Sequence, residues 1–221
     1  MSLILASASP RRRELLTQAG YTFTVHPAHI PEDILPNEDP IAYVVRLARQ
    51  KAETVYAEIA GSIASEERAT AAPQVPTAAP QVPTAAPQVP GAAPQVLGAD
   101  TTVVIDNQVL AKPVDAADAS RMLRLLSGRT HRVITGVAVV TANRTEVAAE
   151  VTGVRFLTLS EEEIEAYIAT GEPMDKAGAY AIQGRAARWI PRITGDYFNV
   201  VGLPLALVST MLEALASTHS R

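Results

Sequence analysis

VLGADTTVVIDNQVLAKP, residues 96–113, is the stretch from which the architecture can be read. Its first ten residues are mostly apolar or β-branched, the composition of a strand buried on both faces. Asp106-Asn107 then makes a turn, and VLAKP returns as the second arm of a hairpin. A hairpin brings antiparallel pairing into the sheet. One residue breaks the pattern. Asp100 puts a carboxylate into the buried run, which is costly unless it is paired, hydrogen-bonded or on a metal. The plain alternative is a strand-end aspartate capping a loop. Lys112, across the hairpin, can approach the same region. A carboxylate beside a lysine suits a water-activating base or metal ligand facing a phosphate-binding cation.

Strands and helices alternate on either side. LILA (Leu3–Ala6) reads as a short apolar strand, followed by Ser9 as helix N-cap, Pro10 at the first helical position and Gly20 as the stop. Asp39-Pro40 opens a second helix, with Ile41, Val44, Val45, Ala48, Ala52, Val55, Tyr56 and Ile59 at helical spacing. Asp115 starts a third helix through Leu126. HRVITGVAVV and EVAAEVTGVRFLTL are β-rich and joined around Asn143, and Ser160 with Glu163 forms a capping box ahead of a helix ending at Gly171. A strand pair around Trp189 and Val200 and a helix from Leu205 complete the expectation. The fold class is α/β with a mixed, twisted sheet and flanking helices.

One segment differs. From Thr70 a seven-residue unit, TAAPQVP, occurs in four copies, the last reading GAAPQVL. Most copies carry two prolines, which favours polyproline II or disorder over a coiled coil. The expectation is one domain, 1–221, interrupted by a Pro/Ala-rich loop at 70–97; a Pro-rich ligand for a partner is the alternative.

Bulk properties narrow the function. The net charge is −4, so a nucleic-acid partner is not expected. No cysteine is present, which removes disulfides, thiolate metal sites and cysteine nucleophiles. After the arginine run at 11–13 the chain reads ELLTQAGYTF, too polar for a signal peptide, and no run approaches a membrane span of roughly 18–20 apolar residues. No membrane partner is expected either, and the expected location is cytoplasmic.

LASASPRRRELL, residues 5–16, sets a capped helix directly after a strand. Unpaired first-turn N–H groups suit an anion, and Ser7 and Ser9 add hydroxyl donors. Arg11, nearest the helix start, is the leading phosphate-binding candidate. Arg12 shares those turns, although it and Arg13 can equally serve the fold or its surface. Glu32 and Lys51 read from spacing alone as surface groups. His26, His29 and Glu32 have metal-like spacing, but Pro27 and Pro31 disfavour a helix there and with it a histidine site. GEPMDKAGAYAIQG, residues 171–184, has the punctuation of a binding loop, where Gln183 can read a nucleobase edge or simply brace the loop.

These blocks, with PEDILPNEDPIAYVVRLARQKA, GADTTVV, LSGRTHRVITGV and GDYFNVVGLPL, resemble the Maf nucleotide pyrophosphatases, in family order and over nearly the whole chain outside the repeats. The resemblance implies an inosine-triphosphatase-like fold of two lobes around a cleft. It implies hydrolysis of a nucleoside triphosphate to the monophosphate and pyrophosphate, a divalent metal, and a homodimer. The family's proton-accepting aspartate falls on Asp100, and its specificity positions on Arg11, Thr101 and Gln183. Ser7, Glu32, Lys51 and Lys112 match polar positions around phosphates and metal, with Glu32 and Asp100 as the metal ligands. Mg²⁺ is the expected ion, because those ligands are oxygens and the substrate carries phosphates. The YAIQG form is similar to the branch acting on dTTP and UTP. A departure is Pro31, where the family often has aspartate before the glutamate. Alternatives are methylated GTP or another noncanonical triphosphate as substrate, and a nucleotide-binding cell-division regulator without turnover.

Overall fold

The strand read from Val96 begins two residues earlier, at Pro94, inside the last repeat. The computed structural model describes residues 2–70 and 94–217. Of the loop expected at 70–97, Thr70 belongs to a helix and PQVL to the sheet, and residues 71–93 lie outside the described residues. The reason is in the repeat. Its fourth copy ends in leucine where the others have proline, and Pro94 takes the first strand position, where a missing N–H is tolerated.

The elements are β1 (Ser2–Leu5), α1 (Pro10–Gln18), β2 (Phe23–Val25), α2 (Pro40–Thr70), β3 (Pro94–Ile105) and β4 (Gln108–Leu110). They continue with α3 (Ala116–Leu126), β5 (Thr130–Val140), β6 (Thr145–Arg155), α4 (Glu161–Ile168), β7 (Arg192–Thr194), α5 (Tyr197–Val201) and α6 (Leu205–Ser217). The sheet order is β2-β1-β3-β5-β6-β7, with β4 pairing β3. β1 runs parallel to β2 and β3, and the remaining pairs are antiparallel, so the sheet is mixed as the hairpin implied.

Side-chain alternation divides the core. Leu3, Leu5, Leu97, Ala99, Val137 and Val139 pack with Leu15, Leu16, Val208 and Met211 on one face. Ile4, Val96, Ala138 and Val140 meet Ala48, Ala52 and Val55 of α2 on the other. α2 lies unusually close because the strands beneath it offer glycines: a Cβ on Gly98 would stand 2.1 Å from the Ala48 carbonyl oxygen, and one on Gly136 2.3 Å from that of Val44. No helix among the described residues is long and apolar enough to cross a membrane.

Local signals agree closely with these elements. Asp106 and Asn107 both have positive φ, as a tight hairpin turn requires. Asp115 accepts the Asp118 N–H, and the Ser160–Glu163 capping box is formed in both directions. Ser9 occupies the N-cap of α1, but its hydroxyl makes no cap bond; instead the Ser7 hydroxyl accepts the Ser9 N–H at 3.3 Å.

Three expectations need correction. The strand pair around Trp189 and Val200 does not form: Trp189 ends a 3₁₀ turn (Arg185–Trp189), and Val200 lies in α5. Asp196 starts that helix by accepting the Phe198 N–H at 2.7 Å, a cap that overrides the β-favouring composition. β6 stops at Arg155, and FLTL leaves the sheet as Phe156 and Leu157 donate to Arg129 and Trp189 carbonyls. β2, three residues long, is absent from the sequence reading.

Candidate active site

β3 is longer than the strands on one of its edges. β1 pairs with it only through Leu97, and β4 joins only at Val103. Between these points Gly98–Thr102 run past a gap in the ladder, while the opposite edge stays paired with β5. Alternation turns Asp100 toward the α2 face and Thr101 toward the other, so the gap lets both faces of one strand serve one cleft. That cleft has a volume of about 560 Å³, within the usual range for a small-molecule site.

On the α2 side, the Lys51 ammonium joins two carboxylates. Its Nζ stands 2.7 Å from Asp100 Oδ1 and 2.5 Å from Glu32 Oε1. Lys51 and Asp100 are each only 8% exposed. Lys51 is thus no surface lysine; it occupies the buried stripe of α2 between Ala48 and Ala52. Tyr43, one of the α2 residues above it, donates from its hydroxyl to the Glu32 carbonyl at 2.8 Å and so ties down the loop. The two carboxylates are driven apart. Burial raises the Asp100 pKa above the ordinary value, with Lys51 and Arg12 opposing. Burial would raise Glu32 as well, but the Lys51 hydrogen bond and the charges of Lys51, Lys112 and Arg12 outweigh it and hold Glu32 low.

On the other side Arg12 is fixed at three points. Its Nε donates to Gly202 O at 2.9 Å, Nη1 to Ser7 Oγ at 3.1 Å and Nη2 to Thr101 Oγ1 at 3.0 Å. All three acceptors are uncharged, so the positive charge is placed without being neutralised, and two of its five N–H groups remain for a bidentate anion. Thr101 is braced in turn. Its hydroxyl lies 2.9 Å from that of Thr135, which donates to Asn199 O at 3.2 Å. Five cations (Arg11, Arg12, Lys51, Lys112 and Lys176) and three carboxylates (Glu32, Asp100 and Asp175) line the cleft, an excess of positive charge suited to a polyphosphate.

Residues 2–215 match the family model described as Maf-like protein. The chain belongs to the Maf family. Among its relatives, a dTTP/UTP pyrophosphatase of Koribacter versatilis (strain Ellin345) is 49% identical over 213 residues, covering 96% of this chain and 94% of the relative. One of Symbiobacterium thermophilum (strain DSM 24528 / JCM 14929 / IAM 14863 / T) is 47% identical over 210 residues, covering 95% of this chain and 92% of the relative. One of Geobacter sulfurreducens (strain ATCC 51573 / DSM 12127 / PCA) is 47% identical over 97% of both.

The Maf cleft gathers every site residue expected from the sequence: Ser7, Arg11, Arg12, Glu32, Lys51, Asp100, Thr101, Lys112 and Gln183 all line it. The arginines differ in their setting. Arg11 reaches the cleft, but Arg12 is the one held by Ser7 and Thr101, and Arg13 is exposed. His26 bonds Glu58 at 2.7 Å and does not turn to Glu32. No group of three or more His, Cys, Asp or Glu side chains able to hold a metal occurs among the described residues. Glu32 and Asp100, joined at Lys51, are a two-carboxylate set. Such a set fits Mg²⁺, which commonly takes one or two carboxylates and completes its shell with substrate phosphates and water.

Tyr43, Thr135 and Asn199 were not among the expected residues, and neither was His131. The His131 Nε2 lies 2.8 Å from the hydroxyl of cleft-lining Tyr180, and burial pushes its pKa down to about 3. The unfolded state therefore takes up a proton that the folded state refuses, so the contribution is full above the ordinary histidine pKa and falls as pH drops toward 3. Between pH 7 and pH 5 His131 alone should cost about 2 kcal/mol of stability. Urea unfolding at the two pH values checks this, and His131→Gln should remove that share of the difference.

Proposed function

We propose that this Maf protein hydrolyses dTTP and UTP to the nucleoside monophosphate and pyrophosphate. The observation that carries the reading is the buried Asp100 carboxylate, paired with Lys51 at 2.7 Å in a cleft rich in cations. Water adds across the anhydride between the α- and β-phosphates, the bridging P–O bond breaks, and Asp100 takes the proton of the attacking water. Arg11, Arg12 and Lys112 hold the phosphates, with Ser7 setting Arg12. Lys51 keeps Asp100 anionic and, with Lys112, offsets the charge growing on the departing pyrophosphate. Glu32 and Asp100 would hold Mg²⁺, which would supply neutralisation of phosphate charge. Gln183 and Thr101 select the base; the glutamine and the names of the relatives favour dTTP and UTP over methylated GTP. By family likeness the enzyme is taken as a cytoplasmic homodimer, which light scattering and cell fractionation check.

A triphosphate panel with Mg²⁺ tests the reading, with monophosphate, pyrophosphate and orthophosphate measured separately. dTTP and UTP should lead CTP, methylated GTP and noncanonical purine triphosphates. Pyrophosphate should appear in equal amount to the monophosphate. EDTA should stop release, and added Mg²⁺ should restore it. Orthophosphate as the first product, or tight dTTP binding without turnover, would overturn the assignment.

A further inference from the structure

Gln183 stands in a turn whose two ends are held from outside the cleft. The Gly184 N–H donates to Ala181 O at 3.1 Å, which closes a four-residue turn with Gln183 third. On the incoming side, the Ala181 N–H donates to the Tyr167 hydroxyl oxygen at 3.2 Å. On the outgoing side, the Arg185 N–H donates to Glu172 Oε1 at 3.1 Å. The Tyr167 hydroxyl closes the circuit by donating to the same Glu172 oxygen at 2.8 Å. The direction of each bond is set by chemistry: the carboxylate only accepts, and the tyrosine spends its one proton on Glu172.

Two further observations fit this arrangement. Tyr167 is 1% exposed and its ring meets Trp189 edge-on at 5.1 Å, so its hydroxyl has little freedom to move. A Cβ on Gly184 would stand 1.9 Å from Glu172 Oε1, so only a residue without a side chain lets the carboxylate reach the Arg185 amide. Neither Tyr167 nor Glu172 lines the cleft.

We propose that Tyr167 and Glu172 are positioning residues that tether the backbone on both sides of Gln183 and thereby set nucleotide discrimination. The proposal rests on the reading that Gln183 selects the base. The tether loads its effect on binding and choice of substrate and leaves the chemistry at Asp100 alone.

The test compares Tyr167→Phe, Glu172→Ala, Glu172→Gln and Gln183→Ala in the full chain, each first shown to be folded by thermal melting. Tyr167→Phe and Glu172→Ala should raise KM for dTTP about tenfold with kcat within about threefold, and lower the preference for dTTP over dGTP about tenfold. Glu172→Gln keeps an oxygen that accepts both bonds and should behave as wild type, whereas Tyr167→Phe keeps the packed ring and removes only the hydroxyl, so an effect of packing alone would leave that variant unchanged. Amide exchange at Ala181 and Arg185 should quicken about tenfold in the first two variants. Unchanged exchange there overturns the tether. Unchanged discrimination in those variants, while Gln183→Ala loses it, overturns its role in specificity. If Gln183→Ala itself discriminates normally while exchange has quickened, the base-selecting role of Gln183 fails and the tether stands.

Discussion

Asp100→Asn is expected to lower kcat for pyrophosphate release from dTTP by about 10³-fold, with dTTP affinity held within a few-fold. Asparagine keeps the shape of the side chain and an oxygen that can accept from Lys51, so the pair can persist at similar geometry. What it loses is the negative charge, and with it much of its hold on a divalent ion and the ability to take a proton. The environment marks Asp100 for that task. Burial lifts its pKa and so its basicity, while Lys51 and Arg12 keep the charged form accessible; Glu32, nearer solvent, is held low and stays ionised. Two carboxylates beside one lysine, pushed in opposite directions, are suited to different work. The measurement is single-turnover pyrophosphate release alongside dTTP binding and thermal melting. Near-normal release would remove Asp100 from the mechanism.

Gly136→Ala should destabilise the fold by about 3 kcal/mol or more and take activity with it. The added methyl would stand 2.3 Å from the Val44 carbonyl oxygen, 2.4 Å from its carbon and 2.6 Å from the Val45 nitrogen. These are backbone atoms of α2, which cannot swing aside as a side chain can. Relief requires lifting α2 from the sheet, and α2 carries Lys51, whose ammonium must stay within bonding distance of Asp100. Leaving either charge buried without its partner is costly. Gly61→Ala is the control: it lies in the same helix, a Cβ there would meet no described atom within 4 Å, and it should be neutral or stabilising by up to about 1 kcal/mol. Urea unfolding of both variants, with activity measured in parallel, decides the matter. A Gly136→Ala protein as stable as wild type would disprove that close contact between helix and sheet sustains the site.

Much of this was legible without coordinates. The hairpin at Asp106-Asn107, the capping box at Ser160 and the stripe of α2 depend on neighbours within a few positions, and such signals survive in one dimension. Lys51, by contrast, reads from spacing alone as a surface lysine, and only the packing of α2 on the sheet buries it against Asp100. Pro94–Leu97 was partly hidden because the repeat it belongs to reads as one unit. The segment from Trp189 to Val200 misled because Val, Ile and Tyr favour strands until a capped turn intervenes.

Other features could not be read from one dimension. Arg12, rather than its neighbour, is fixed at the cleft because its guanidinium finds Gly202 and Thr101, 190 and 89 residues away. Tyr167 and Glu172 meet the loop of Gln183 only after α4 has packed. By itself the sequence determined the mixed sheet, the caps, the absence of cysteine chemistry and the family with its array of polar residues, since these follow from local preference and composition. Only the tertiary structure decided which arginine, which lysine and which loop tethers share the cleft. That choice depends on where β1 leaves β3 and how closely α2 approaches it, distances set by packing between segments far apart in the chain.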